Sequence, residues 1–196
     1  MKKIIALALS LMMILGCVSA LAEGEKETLT VIGAFDIKYS SLPEGYTMEV
    51  AESNGTYYSA TIVPKDATKP VLSLQIEFND SLYGVNKLTD ATPEDMAAIK
   101  QSFYEIAELD EGDIIFEETT TGHGTPLLIA KTKDGSIAAV YTIYMSHEIE
   151  IDIFFADGKT PVTDEHVKAV VDFLSDVEFV ETAAPAETAA PAEPGK

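Results

Sequence analysis

The residues of this chain that could do chemistry are few and scattered. His123 stands in Thr119-Thr120-Thr121-Gly122-His123-Gly124-Thr125, where an imidazole among hydroxyls and glycine-flanked amides offers a general base. There is no G-x-S-x-G nucleophile elbow, and no acid or serine stands at a spacing that assigns it to His123. The segment therefore reads as a solvated turn between two strands, with a secreted hydrolase as the alternative if folding supplies the missing partner. His147-Glu148 begins like a zinc-protease helix, but Ile151 occupies the place of the second histidine and the segment alternates as a strand does. His166, near the start of a helix, reads as a cap or a solvent-facing residue. Three scattered histidines make no zinc centre, so no cofactor is expected.

Glu148, Glu150 and Asp152 share one face of a strand at period two, with about 7 Å between neighbours, close enough to repel and to share a hard cation. A calcium-dependent envelope protein is the reading this row supports. A solvated strand face is the plainer one, because Ca²⁺ needs roughly six to eight converging oxygens. Asp110-Glu111-Gly112-Asp113 has three acids in four residues and reads as a loop joining helix to strand. Gly158-Lys159-Thr160 lies between a strand and a helix, where a phosphate loop belongs, but Ile153 stands where that pattern needs its first glycine. It reads as an ordinary turn after Asp157.

Composition narrows the classes further. The net charge is −20, with 33 acids against 13 basic residues, every one of them lysine. A surface without a guanidinium fork neutralises phosphates poorly and cannot read guanine bidentately, so nucleic acid and anionic lipid headgroups are poor partners and no nucleic acid is expected. Cations or basic partners fit better, and the charge also keeps an exported protein soluble.

The N-terminus explains why export is expected. Lys2 and Lys3 precede an apolar run from Ile4 to Leu15, too short for a stable span, and Ala20-Leu21-Ala22 presents small residues at both cleavage positions. Cleavage after Ala22 removes Cys17, the only cysteine, and with it thiol chemistry and disulfides. Ile14-Leu15-Gly16-Cys17 offers the alternative of a lipobox, with Cys17 lipidated and the domain tethered as a lipoprotein. No transmembrane span is expected in the mature chain. The organisation reads as an export signal over residues 1–22, a charged leader over 23–27, one globular domain over 28–181, and a disordered tail over 182–196 that repeats T-A-A-P-A-E.

Alternating apolar and polar residues dominate the domain. Tyr46 to Glu52 and Thr56 to Val63 flank Asn54-Gly55, a hairpin turn pair. Val71 to Phe78, Asp113 to Thr120, Leu127 to Thr132, Ser136 to Met145 and Glu148 to Ala156 read as further strands. Turns are expected at Asp134-Gly135 and Ser146-His147, and Ile149, Ile151, Ile153 and Phe155 should face the core. Two helices interrupt them. Thr92 caps the first, Pro93 opens it, and Met96, Ile99, Phe103 and Ile106 line one face. The second runs from Asp164 to Ser175 behind Thr163, with Val167, Val170, Val171 and Leu174 at helical spacing. The expected fold class is α+β, an antiparallel meander with two amphipathic helices packed on the sheet.

The strand Phe35-Asp36-Ile37-Lys38-Tyr39, the phrase Leu42-Pro43-Glu44-Gly45-Tyr46, a central helix, a meander and a closing helix resemble the PsbP-like family over roughly residues 28–181. That family comprises α/β/α sandwiches found in photosystem II extrinsic subunits and in small exported bacterial proteins. The resemblance implies a binding or accessory domain, and it transfers no catalytic residue. The tyrosines Tyr57, Tyr58, Tyr83, Tyr104, Tyr141 and Tyr144 supply most of the aromatic amphipathic surface. With no tryptophan to stack on sugars, they tilt the expected partner toward a protein or another cell-envelope component. The expectation is a secreted, extracellular, non-enzymatic domain.

Overall fold

The computed structural model describes residues 26–31, 35–54 and 56–181. The export signal with Cys17 and Ala22, most of the charged leader, Gly55 of the expected hairpin turn and the repeat tail lie outside the described residues. Among the described residues the chain forms β1 (Glu27–Val31), β2 (Phe35–Tyr39), β3 (Tyr46–Ser53), β4 (Tyr57–Pro64), β5 (Val71–Phe78), α1 (Pro93–Ala107), β6 (Ile114–Thr120), β7 (Pro126–Thr132), β8 (Ile137–Tyr144), β9 (His147–Phe154), α2 (Asp164–Asp176) and β10 (Glu178–Glu181). No helix among them is long and apolar enough to cross a membrane.

The class is α+β, and the sheet is divided. Seven strands pair in the order β3-β4-β5-β9-β8-β7-β6, while β1-β2-β10 form a separate three-stranded sheet; every named strand pairing is antiparallel. The small sheet escapes a pattern reading because β10 has four residues and pairs with β2, at the opposite end of the domain sequence.

Two cores result. On one face of the large sheet, Ile62, Leu72, Ile76, Ile151 and Ile153 pack against Val31, Phe35 and Ile37 of the small sheet and Val167, Val170 and Leu174 of α2. The alternation of β4, β5 and β9 delivers those side chains to one side, and Ile149, Ile151, Ile153 and Phe155 are all buried as expected. Among the described residues the opposite face is covered only over β6, β7 and β8, where Ile99 and Phe103 of α1 and Leu82 and Leu88 of two short 3₁₀ turns meet Leu128, Ala130, Ala139, Tyr141 and Ile143. Covered on both sides, β7 and β8 read as near-continuous apolar runs.

The first helix begins as its sequence requires. The Asp95 N–H donates to the Thr92 hydroxyl (3.2 Å), and the Thr92 N–H donates back to the Asp95 carboxylate (2.8 Å). Ile99 and Phe103 are buried and Met96 is partly so, but Ile106 is 72% exposed; the expected apolar stripe therefore ends one turn early, where none of the described elements covers the helix. In α2 the Thr163 N–H donates to His166 Nδ1 (3.1 Å), so His166 is the cap residue its position implied. The β8–β9 turn sits one residue earlier than expected, at Met145-Ser146, with φ of 50° and 63°. That left-handed pair is clamped by the neighbouring loop, since Met145 and Ser146 N–H donate to the Asn86 and Val85 carbonyls (3.2 and 2.8 Å). His147 consequently starts β9 and is buried.

Candidate functional site

The half of the sheet face that α1 leaves open, over β4, β5 and β9, carries three polar rows set by the pairing register. Tyr141 of β8, Glu150, Gln75 and Ser59 lie across from one another; Asp152, Ser73 and Thr61 form the next row, and Glu148, Glu77 and Tyr57 the third. Hydrogen bonds tie the rows together. The Tyr141 hydroxyl donates to Glu148 Oε1 (2.8 Å), the Gln75 amide donates to Asp152 Oδ2 (3.3 Å), and the Tyr57 hydroxyl donates to Gln75 Oε1 (3.4 Å). A polar path thus crosses four adjacent strands.

Glu148, Glu150 and Asp152 are half-buried on this face rather than fully solvated, which corrects the plainer expectation for the row. The covered core ends at Tyr141, whose ring sits 5.9 Å from that of Phe103, and the acids lie on the next strand beyond it. Burial, then the charge of Asp152, its hydrogen bond and the charge of Glu148 push the Glu150 carboxyl up to about 9. Burial raises Asp152 as well, opposed by hydrogen bonds from Glu150 and Gln75. At neutral pH the pair therefore holds a proton between two carboxyl groups, as two like charges in one partly dry place require. Such a pair can exchange its proton for a cation. Among the described residues, no group of three or more His, Cys, Asp or Glu side chains is placed to hold a metal ion.

The fold gives His123 neighbours that its sequence does not announce. It is exposed at its turn, the Gly122 N–H beside it donates to Ser175 Oγ (3.1 Å), and Asp176 accepts the Ser40 N–H (2.6 Å) and hydroxyl (3.0 Å). The Ser40 hydrogen bonds, then the charges of Lys26 and His123, hold Asp176 below the usual carboxylate range. Serine, histidine and aspartate are thus brought together without a relay. The Ser175 hydroxyl donates to the Val171 carbonyl (2.9 Å) and the Ser40 hydroxyl to Asp176, so neither proton is directed at an imidazole nitrogen.

The other motifs are occupied structurally. The His147 Nδ1–H donates to the Met145 carbonyl (2.8 Å), and its ring lies 5.2 Å from both Phe35 and Phe78. The Lys159 and Thr160 amides donate to Asp157 Oδ1 (2.9 and 3.0 Å), which leaves no amide cradle for a phosphate there. In the acidic loop, the Gly112 N–H donates to the Tyr104 hydroxyl (3.3 Å) and the Asp113 N–H to the Asp110 carbonyl (3.0 Å), a helix-to-strand join. Beside α1, an open cleft of about 490 Å³ is lined by Leu88, Met96, Glu118, Thr120 and Pro126, with Glu118 bridged to Lys100 (3.4 Å). Gln75 is the residue that sequence reasoning missed. Its signal was a long amide between Ser73 and Glu77 on the outward side of an alternating strand, interpretable only once β5 is known to pair with β9. No protein-family model matches the chain, and no curated protein matches it.

Proposed function

We propose that this chain is an exported, non-enzymatic binding or accessory domain of PsbP-like type, acting at the cell envelope or outside the cell. Its binding face is the open half of the seven-stranded sheet, and the group it holds is a cationic one, an ammonium or guanidinium, presented by a protein or another envelope component. The observation that carries this reading is the Glu150–Asp152 pair, held half-buried on an open face and braced by Gln75. A shared proton keeps the two acids from repelling while the face is empty. An arriving cation takes the proton's place and satisfies both carboxylates with charge-assisted hydrogen bonds, without reorganising the strands that carry them. The layering supports the same reading, with α1 on one side of the large sheet and α2 with the small sheet on the other. The net charge of −20 would steer a basic partner inward.

Calorimetric titration of the full chain with tetralysine tests this. Binding should release a proton, seen as a heat that changes with the ionisation enthalpy of the buffer. The Glu150→Gln/Asp152→Asn variant should lose both the binding and the proton. Unchanged binding by that variant, or saturation by calcium chloride with tetralysine inert, would overturn the assignment.

A further inference from the structure

The two edges of the seven-stranded sheet are built differently. Edge strand β3 is broken by a register shift between Val50 and Glu52, a bulge of the kind that discourages another strand from pairing. Edge strand β6 pairs with β7 from Ile114↔Thr132 to Thr120↔Pro126 with no break, and it contains no proline, lysine or glycine. Two hydrogen bonds bracket that ladder, Lys133 N–H to the Asp113 carbonyl and Thr121 N–H to the Thr125 carbonyl, each 2.9 Å. Hydrogen-bonded positions alternate in an antiparallel pair, so the odd-numbered residues of β6 bond inward to β7. Ile114, Phe116, Glu118 and Thr120 therefore aim their N–H and C=O groups out of the sheet.

The surroundings of this edge say what would fit it. Asp110, Glu111, Asp113, Glu117 and Glu118 fall within nine residues that contain no lysine. Ile115 is 51% exposed on one side of the strand, and the cleft beside Met96 opens along Glu118, Thr119 and Thr120. A second copy of this chain would set acid against acid along the shared edge, so self-pairing is opposed. From the charge and the ladder together we infer that β6 accepts an extended basic segment of another protein as an eighth strand. Its backbone would pair with Phe116 and Glu118, its lysines would lie on the face of Glu117 with their stems along Ile115, and its apolar side chains would enter the cleft on the opposite face, beside Met96. Two strands, β8 and β7, separate β6 from the Glu150–Asp152 pair, so this surface stands independently of the proposed cation face.

Amide exchange by NMR on the full chain, with end-blocked seven-residue peptides matching β6 in length, decides it. A peptide alternating lysine and valine, at up to about 1 mM, should slow exchange of the Phe116 and Glu118 amides by about tenfold, and one alternating glutamate and valine should not. Glu118→Pro removes an outward donor without touching the ladder to β7, so it should abolish the protection while the chain still melts cooperatively. Glu117→Lys/Glu118→Lys should transfer the protection to the glutamate peptide. Glu150→Gln/Asp152→Asn should leave it intact, which separates this surface from the open face. Protection that survives Glu118→Pro, that appears on β4, β5 or β9 instead, or that arises in the chain alone as it dimerises would overturn the inference.

Discussion

One face of the large sheet contains two regions that differ in what lies above them and, with it, in the side chains they carry. Over β7 and β8, α1 and the 3₁₀ turns bury Leu128, Ala130, Ala139, Tyr141 and Ile143, and the strands are apolar on both sides. Over β4 and β5 no helix of the described residues lies, and the same side of the sheet carries Tyr57, Ser59, Thr61, Ser73 and Gln75. The strand between them, β9, belongs to both regimes. Its inner side buries Ile149, Ile151 and Ile153, while its outer side places three carboxyls where the helix cover has just ended. A boundary strand is where ionisable groups become half-dry, and half-dry acids in a row must share protons or find a cation.

The largest test of that contrast is a truncation on the covered side. Leu128→Ala should lose about 3 kcal/mol of stability, because a fully buried leucine leaves a cavity between the sheet and α1, whereas Ser73→Ala on the open side should stay within about 0.5 kcal/mol. Urea unfolding of both variants measures the difference, and equal losses would mean that the open side is not open.

The boundary strand has its own signature in pH. A carboxyl that binds its proton more tightly when folded contributes stability that is fully present below its unfolded value near 4.5 and is lost as pH rises toward about 9. The parent chain should therefore become less stable across that window. Glu150→Gln should match the parent at pH 4 and exceed it by about 1 to 2 kcal/mol at pH 9. A parallel pair of stability curves would show that the shared proton is not on Glu150. The smallest effect belongs at the end of α1, where Ile106→Lys should change stability by less than about 0.5 kcal/mol despite its place on the apolar stripe.

Much of this layout is legible in the residues. The Thr92–Asp95 cap, the inward isoleucines of β9, the turn at Gly135 with φ of 72°, and the face of α2 through Val167, Val170 and Leu174 all follow from neighbours a few positions away. The Met145-Ser146 turn was displaced by one residue because the loop ending at Asn86, remote in sequence, clamps it. Of the candidate site, the carboxylate row was visible, but its half-burial and its link to Gln75 were not.

Taken alone, the amino-acid order determined the α+β class, most strands of the large sheet, the two helices, and a net charge of −20, because periodicity and charge are local or additive properties. Only the tertiary structure decided that the sheet is split, that β9 lies where the helix cover stops, that Asp176 and Ser40 stand near His123, and that β6 rather than β3 keeps an unbroken edge. Each of those depends on pairings between residues far apart in the chain, which the folded topology selects and no window of sequence contains.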